Sequence, residues 1–144
     1  MDTTPDLTSE RAVLGGIFNH GSNAYFDVAD IINTNTFADT TNQVIYKCFV
    51  NIFEQDHDAK LDFPLIVAKA KDLGYGKLFE QRHEAAHLRT ITNTKVELVN
   101  VRKLGAKLRK LQIARDIVHK IEKAKGGLCE ITGDESLEQI LSLI

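Results

Sequence analysis

The feature that most constrains the fold is an unbroken helical pattern over residues 95–125. This segment contains no proline and a single glycine, Gly105. Apolar side chains recur along it at spacings of three and four, as on one face of an α-helix. These residues are Val101, Leu104, Leu108, Leu111, Ala114, Val118 and Ile121. A helix of this length extends about 45 Å, more than a few short helices can cover. We therefore expect its apolar face to pack against a second helix of this chain, another subunit, or both.

The rest of the chain also carries helical patterns separated by short polar turns. With two prolines and nine glycines in 144 residues, the chain is predicted to be all-α. The architecture we expect is a small globular helical head followed by a long helix and a helical hairpin. We place the head subdomain at residues 1–94 and the hairpin at residues 95–144. The last helix still carries its apolar pattern where the sequence stops, as expected of a domain from a longer protein.

Residues that begin and end helices indicate the element boundaries. Asp6, Thr8 or Ser9 is predicted to cap the first helix, and Asp62 the fourth. Thr40 or Thr41 is predicted to cap the third helix, and Asp134 or Ser136 the last one. The pair Gly126-Gly127 is predicted to end the long helix.

The charges of the chain are segregated, although its net charge is only −2. Residues 1–94 carry −5, residues 95–125 carry +7 and residues 126–144 carry −4. The long helix is therefore a basic element within an acidic protein. One interpretation is a solvated face that pairs with the acidic terminal segment and with acidic patches of a neighbour. The other is contact with nucleic-acid phosphates, which would be weak and sensitive to salt because residues 95–125 contain no aromatic side chain for stacking. The residues proposed for either contact are Arg102, Lys103, Lys107, Arg109 and Lys110.

Several classes of protein are not indicated by the sequence. Cys48 and Cys129 are isolated, which favours a reducing, cytoplasmic setting over a disulfide scaffold. The acidic N-terminus does not resemble a signal peptide, and no apolar run is long enough for a membrane span. The phosphate-binding pattern GxxxxGK[ST] is absent, as are GxGxxG and GxSxG. We therefore predict no catalytic residue, no cofactor and no membrane partner for this chain.

One catalytic pattern does occur, because residues 83–87 fit HExxH. On a helix, His83 and His87 are one turn apart and could both bind Zn²⁺, with Glu84 as a general base. A third ligand is not evident, because Thr90 and Asn93 stand where the extended pattern has Gly and His. A small zinc metallohydrolase is therefore kept only as an alternative, and the favoured prediction for these residues is an ordinary helix surface.

The order of the motifs resembles the N-terminal domain of DnaB-type replicative DNA helicases. That family opens with a proline, followed by a glutamate just before a Val-Leu-Gly-Gly helix, as Pro5 and residues 10–18 do here. The remaining similar stretches are Phe26–Ala29, Phe37, Ile45-Tyr46, Lys60–Asp62, residues 99–109, residues 113–117 and residues 134–141. The chain departs from the family over residues 75–79, where Tyr-Gly-Lys-Leu-Phe replaces a Gly-Gly-x-x-Tyr-Leu stretch. This departure points to a phage or divergent bacterial member.

The resemblance implies a domain without catalysis of its own, located in the cytoplasm of a bacterial cell or a phage-infected host. It would mediate subunit dimerisation and assembly of a hexameric ring, as a dimer or a trimer of dimers. It would also dock the helicase-binding domain of primase, or a helicase loader. ATP and Mg²⁺ would belong only to a downstream motor domain. A free-standing DNA-replication adaptor that uses the basic helix remains an alternative.

The interface expected from this resemblance lies on the long helix and the last helix. We expect Leu108→Asp to convert an oligomer into a monomer, and Arg115 to orient the contact through a carboxylate or carbonyl. The predicted interface residues are Val101, Leu104, Leu108, Leu111, Arg115, Val118, Ile121, Leu137, Ile140 and Leu141.

Overall fold

Helices connected by short turns make up the chain in the computed structural model, which describes residues 5–144. The α-helices are α1 (Leu7–His20), α2 (Ser22–Val28), α3 (Thr40–Gln55), α4 (Phe63–Ala70), α5 (Arg82–Thr92), α6 (Leu98–Cys129) and α7 (Leu137–Leu141). Short 3₁₀ helices cover Thr34–Thr36 and Leu78–Glu80, and a π-helical turn covers Lys71–Tyr75. No residue from 5 to 144 lies in a β-strand. The predicted all-α fold is confirmed.

Side-chain caps account for where most helices begin. Asp6 accepts a hydrogen bond from the Ser9 backbone N–H, and Asp62 accepts one from Leu65. Ser136 and Gln139 form a reciprocal capping box at the start of α7. These caps are among the predicted ones. The prediction for α3 was wrong by one residue, because Asp39, and not Thr40 or Thr41, caps it.

The long helix is displaced from its predicted bounds at both ends. α6 begins at Leu98 and continues through the Gly126-Gly127 pair to Cys129. The predicted break at these glycines is therefore wrong. Neither glycine has a positive φ angle, so both fit a helical backbone. Gly127 lies beside Leu143, whose Cδ2 would be 3.2 Å from a Cβ at this position, so its lack of a side chain leaves room for the residues after α7.

The chain divides into two compact units within α6. The N-terminal unit contains residues 5–112 and the described part of the C-terminal unit contains residues 113–144. This division lies beyond the boundary that the sequence analysis placed at residue 94. The physical reason is that the first part of α6 completes the core of the N-terminal unit.

The core of the N-terminal unit gathers apolar side chains from every α-helix that the unit contains. Its largest fully buried members are Phe37, Phe49, Phe53, Leu14, Ile17, Ile45, Ile66, Leu88, Ile91 and Leu108. Val101 is also fully buried, and it lies directly against Gly16 of α1. Gly105 packs against Val28, Ile31 and Ile32, each 3.5 Å from a Cβ built on this glycine. The missing side chain of Gly16 lets α6 lie close to α1, whereas the distances at Gly105 are those of ordinary contacts.

This packing corrects part of the predicted interface. Val101 and Leu108 lie in the core of the N-terminal unit and expose no more than 1% of their surface, while Leu104 and Leu111 pack against that core from partly buried positions. Neither of the two fully buried residues is available to a second chain. Leu108→Asp would bury a charge in the core, so it is expected to unfold this unit rather than to change only the oligomeric state.

Candidate interaction site

A buried polar network links three helices of the N-terminal unit. Glu10 of α1 is fully buried, and its carboxylate accepts hydrogen bonds from the backbone N–H groups of Ala38 (2.9 Å) and Asp39 (3.3 Å). It also accepts one from Asn42 Nδ2 at 3.0 Å. Asn42 Oδ1 lies 2.6 Å from His87 Nε2, which is therefore the donor in this contact. The network joins α1, the start of α3 and α5.

The HExxH residues contact this network or lie on the surface next to it. His87 contacts Asn42, and Glu84 accepts a hydrogen bond from Thr41 Oγ1. The His83 side chain is 75% exposed, and its Nε2 lies 3.4 Å from Glu84 Oε1. The two histidines thus have different neighbours, and Glu84 binds another helix. Among residues 5–144, no group of three or more His, Cys, Asp and Glu side chains is arranged to hold a metal ion. The geometry therefore supports a structural role for the motif.

Three of the five basic residues proposed for DNA or acidic partners make contacts inside the N-terminal unit. Arg102 forms a two-point ion pair with Asp30 at 2.9 and 3.1 Å, and its hydrogen bonds to that carboxylate lower the pKa of Asp30. Lys107 pairs with Asp6 at 2.7 Å, and Arg109 donates to Gln112 Oε1 at 3.0 Å. Lys103 and Lys110 are exposed. Arg102 and Lys107 thus also help to hold the first part of α6 in the N-terminal unit.

An open groove lies where the end of α1 meets the start of α6. We call it the α1–α6 groove, and it has a volume of about 710 Å³. Its lining residues are Asn19, His20, Lys95, Val96, Glu97, Asn100, Lys103 and Leu104. The sequence analysis singled out only Leu104 and Lys103 among them. No pattern in the sequence signals the groove, because its walls are distant in the chain.

The wall of this groove is fixed by hydrogen bonds. Asn19 Nδ2 donates to the carbonyl oxygens of Thr94 at 3.1 Å and Thr92 at 3.3 Å. Lys95 Nζ donates to Asn19 Oδ1 at 3.1 Å, and His20 Nε2 donates to the Val96 carbonyl at 2.6 Å. The segment between α5 and α6 is therefore tied to the last turn of α1, and the groove exists before any ligand binds.

A second exposed feature lies on the part of α6 that belongs to the C-terminal unit. Ile113, Ile117, Ile121 and Leu128 expose 44, 51, 51 and 41% of their surface. We call this row the isoleucine stripe. Its spacings of four, four and seven residues keep all four side chains on one face of the helix. The sequence analysis included Ile121 but chose the neighbouring row through Leu111 and Val118, so it missed Ile113 and Ile117, although their spacing is visible in the sequence.

The other predicted interface residues in the C-terminal unit vary in exposure. Leu137 and Leu141 of α7 expose 71% and 57% of their surface. Val118, Ile140 and Arg115 are half-buried. Since large apolar side chains that form a contiguous exposed face often mark interaction sites, the C-terminal unit is the more exposed part of the predicted interface. No helix among residues 5–144 is long and apolar enough to cross a membrane.

Comparison with solved structures shows which known fold this arrangement of helices resembles. The fold is similar to the crystal structure of the N-terminal domain of DnaB helicase from Mycobacterium tuberculosis, with a TM-score of 0.82 at 17% sequence identity. The likeness covers 98% of this chain and 94% of that one. The likeness shows that this chain has the same all-α fold as that domain.

The amino-acid sequence identifies the family to which the chain belongs. The family model described as DnaB-like helicase N terminal domain matches residues 3–110. The chain belongs to this family, as its motifs predicted. The match ends near the boundary between the two units, and only the structural likeness extends over most of the C-terminal unit. No curated protein sequence matches the chain.

Proposed function

We propose that this chain holds the subunits of a hexameric replicative DNA helicase together and provides a docking platform for primase or a helicase loader. The observation that carries the proposal is the isoleucine stripe, an apolar row left exposed on a helix of 32 residues. Family membership supports assembly within a helicase. In this role the chain has no catalytic residue, and ATP and Mg²⁺ act in a motor domain of the ring.

The occupant we propose for the stripe is the same stripe of a second copy. An antiparallel pairing centred on residue 119 would place Ile117 of one copy beside Ile121 of the other. Ile113 of one copy would then lie between Ile121 and Leu128 of the other. Each of these side chains is about half exposed in the single chain. Completing the burial of each would contribute about 1 kcal/mol. The half-buried Val118 and Arg115 would flank this contact.

The decisive experiment compares two aspartate variants of the same helix. Ile117→Asp places a charge on the stripe, and His119→Asp places the same charge on an exposed position nearly opposite on the helix. Light scattering over a concentration series is expected to show a dimer dissociation constant at least 100-fold higher for Ile117→Asp, because a charge would have to be buried without a partner. The His119→Asp variant should retain the mass of the unaltered protein.

Two results would contradict the stripe as the subunit contact. One is a monomeric mass for the unaltered protein at every concentration. The other is equal dissociation of both variants while circular dichroism shows that both retain their helices. If the stripe is confirmed, the same variants test docking, since a platform built from two subunits should lose primase or loader binding in Ile117→Asp and keep it in His119→Asp.

A further inference from the structure

The α1–α6 groove has the chemistry of a site for an acidic, leucine-bearing segment. Its apolar floor is formed by Val96 and Leu104, both half-buried, and Lys95 and Lys103 are exposed side chains at its edge. Glu97 is its only acidic lining residue. A ligand that fits must place apolar side chains on this floor and negative charges beside the two lysines.

The C-terminal unit contains a segment of matching chemistry. Residues 126–144 carry four acidic residues and no lysine or arginine. Leu137 and Leu141 lie one helical turn apart on α7 and are 71% and 57% exposed, and Glu138 lies between them in the sequence. The capping box of Ser136 and Gln139 holds this turn in helical form. A segment that is already ordered loses less conformational entropy on binding.

We propose that the α1–α6 groove of one copy binds the acidic segment of residues 134–144 from a second copy. Leu137 and Leu141 contact Val96 and Leu104, while Asp134 and Glu138 lie beside Lys95 and Lys103. The groove belongs to the N-terminal unit and contains no residue of the isoleucine stripe. This contact therefore goes beyond the proposed assembly through the stripe, and either can fail without the other.

A labelled peptide measures the binding directly. A fluorescein-labelled peptide of residues 130–144 is titrated with the full chain, and its anisotropy is recorded. The double variant Lys95→Glu/Lys103→Glu is expected to bind the peptide at least tenfold more weakly. The control Lys71→Glu/Lys77→Glu makes the same charge change at exposed positions outside the groove and should bind as the unaltered chain does. A peptide carrying Asp134→Lys and Glu138→Lys should recover binding to the groove variant, which also shows that this variant is folded.

Cross-linking tests whether the segment comes from a second copy. Cys129 is replaced by serine, and Cys48 is retained because it is buried and burial raises the pKa of its thiol to about 11. A copy with Lys103→Cys is then mixed with a copy with Glu138→Cys under mild oxidation. A disulfide-linked pair is expected, and Lys77→Cys replaces Lys103→Cys in the control.

The proposal fails in any of three cases. It fails if the peptide binds the unaltered chain no better than it binds the groove variant. It also fails if the charge-reversed peptide binds the unaltered chain equally well. It fails for a second copy if Lys103→Cys forms no more linked pairs than Lys77→Cys. The peptide result is independent of the light-scattering test of the stripe, because the peptide titration requires no dimer.

Discussion

At the scale of single residues, Asp6 connects the first helix to the long one. Its carboxylate accepts hydrogen bonds from the Ser9 backbone N–H at 3.0 Å and from Ser9 Oγ at 2.7 Å. It also pairs with Lys107 of α6 at 2.7 Å. The hydrogen bond to Lys107, followed by those to Ser9, lowers the pKa of Asp6 from 3.8 to about 2. One side chain therefore caps α1 and holds α6 against it.

This lowered pKa predicts a pH-dependent contribution of Asp6 to stability. Since the folded protein favours the ionised form, the contribution is fully present above the ordinary pKa of 3.8 and is lost as the pH falls through about 2. Asp6→Ala is expected to lower the free energy of unfolding by about 1 kcal/mol at pH 7, the usual cost of losing an N-cap. Urea unfolding at pH 7 and at pH 2 measures the difference between the two proteins.

Asp6→Asn serves as the control for the cap alone. Asparagine caps helices well but cannot pair with Lys107 as a charge, so its cost should be smaller than that of alanine. A difference between the unaltered protein and Asp6→Ala that is equally large at pH 7 and pH 2 would contradict the role of the ionised carboxylate.

The sequence indicated Asp6 as one of three possible caps of α1 and missed the role of Glu10, for a physical reason. A cap is a local interaction between residues three apart, and Asp6, Asp62 and Ser136 all follow that pattern. Glu10 lies in the first turn of α1, yet it is buried and contacts residues 28 to 32 positions away. Its neighbours depend on how α1 packs against α3, which no local pattern contains.

At the scale of elements, Gly15 and Gly105 both lie where segments of the chain pack together, but the space beside them differs. A Cβ on Gly15 would lie 2.7 Å from the Thr94 carbonyl oxygen and 2.9 Å from that of Ile91. These are backbone atoms and cannot move as a side-chain tip can. A Cβ on Gly105 would instead meet three side-chain carbons at 3.5 Å, an ordinary contact distance.

The same substitution is therefore expected to have opposite effects at these two glycines. Gly15→Ala should lower the free energy of unfolding by about 1–3 kcal/mol, because it overpacks a backbone contact. Gly105→Ala should raise it by about 0.5–1 kcal/mol, because alanine favours the helix and meets no clash. Thermal or urea unfolding of the two variants beside the unaltered protein checks both signs. A loss of stability in Gly105→Ala as large as that in Gly15→Ala would show that α6 cannot tolerate any added atom there.

The sequence predicted that α6 exists and is unusually long, because its pattern is strong over eight turns. It did not predict how the two halves of that pattern are used. Val101 and Leu108 are buried inside their own unit, whereas Ile117 and Ile121 are exposed. All four are apolar residues at helical spacing, so the periodicity cannot separate a side chain that the same chain covers from one that it leaves exposed.

At the scale of the whole molecule, the position of the boundary between the two units decides which fragments can fold. Gln112 is 5% exposed and accepts a hydrogen bond from Thr36 Oγ1 at 2.7 Å. It is the last residue of the N-terminal unit. A chain that stops at residue 94, the boundary expected from the sequence, lacks both Val101 and Leu108.

Two truncated chains distinguish these boundaries. Residues 1–112 are expected to unfold cooperatively in urea, and residues 1–94 to show no such transition. Removing one large buried side chain typically costs 2–5 kcal/mol, and a domain of this size is stable by only about 5–15 kcal/mol in total. Because residues 1–94 lack Val101, Leu108 and the Gln112 contact, this fragment is expected to lose most of that free energy of unfolding.

The fragment of residues 1–112 also tests association of subunits separately from folding. It retains the complete core of the N-terminal unit but lacks the isoleucine stripe, so light scattering should give a monomeric mass at concentrations where the full chain associates. If residues 1–94 unfold at the same urea concentration as residues 1–112, the first part of α6 is dispensable to the core. If residues 1–112 associate as strongly as the full chain, the surface that joins subunits lies on the N-terminal unit, and the role proposed for Ile113, Ile117 and Ile121 is wrong.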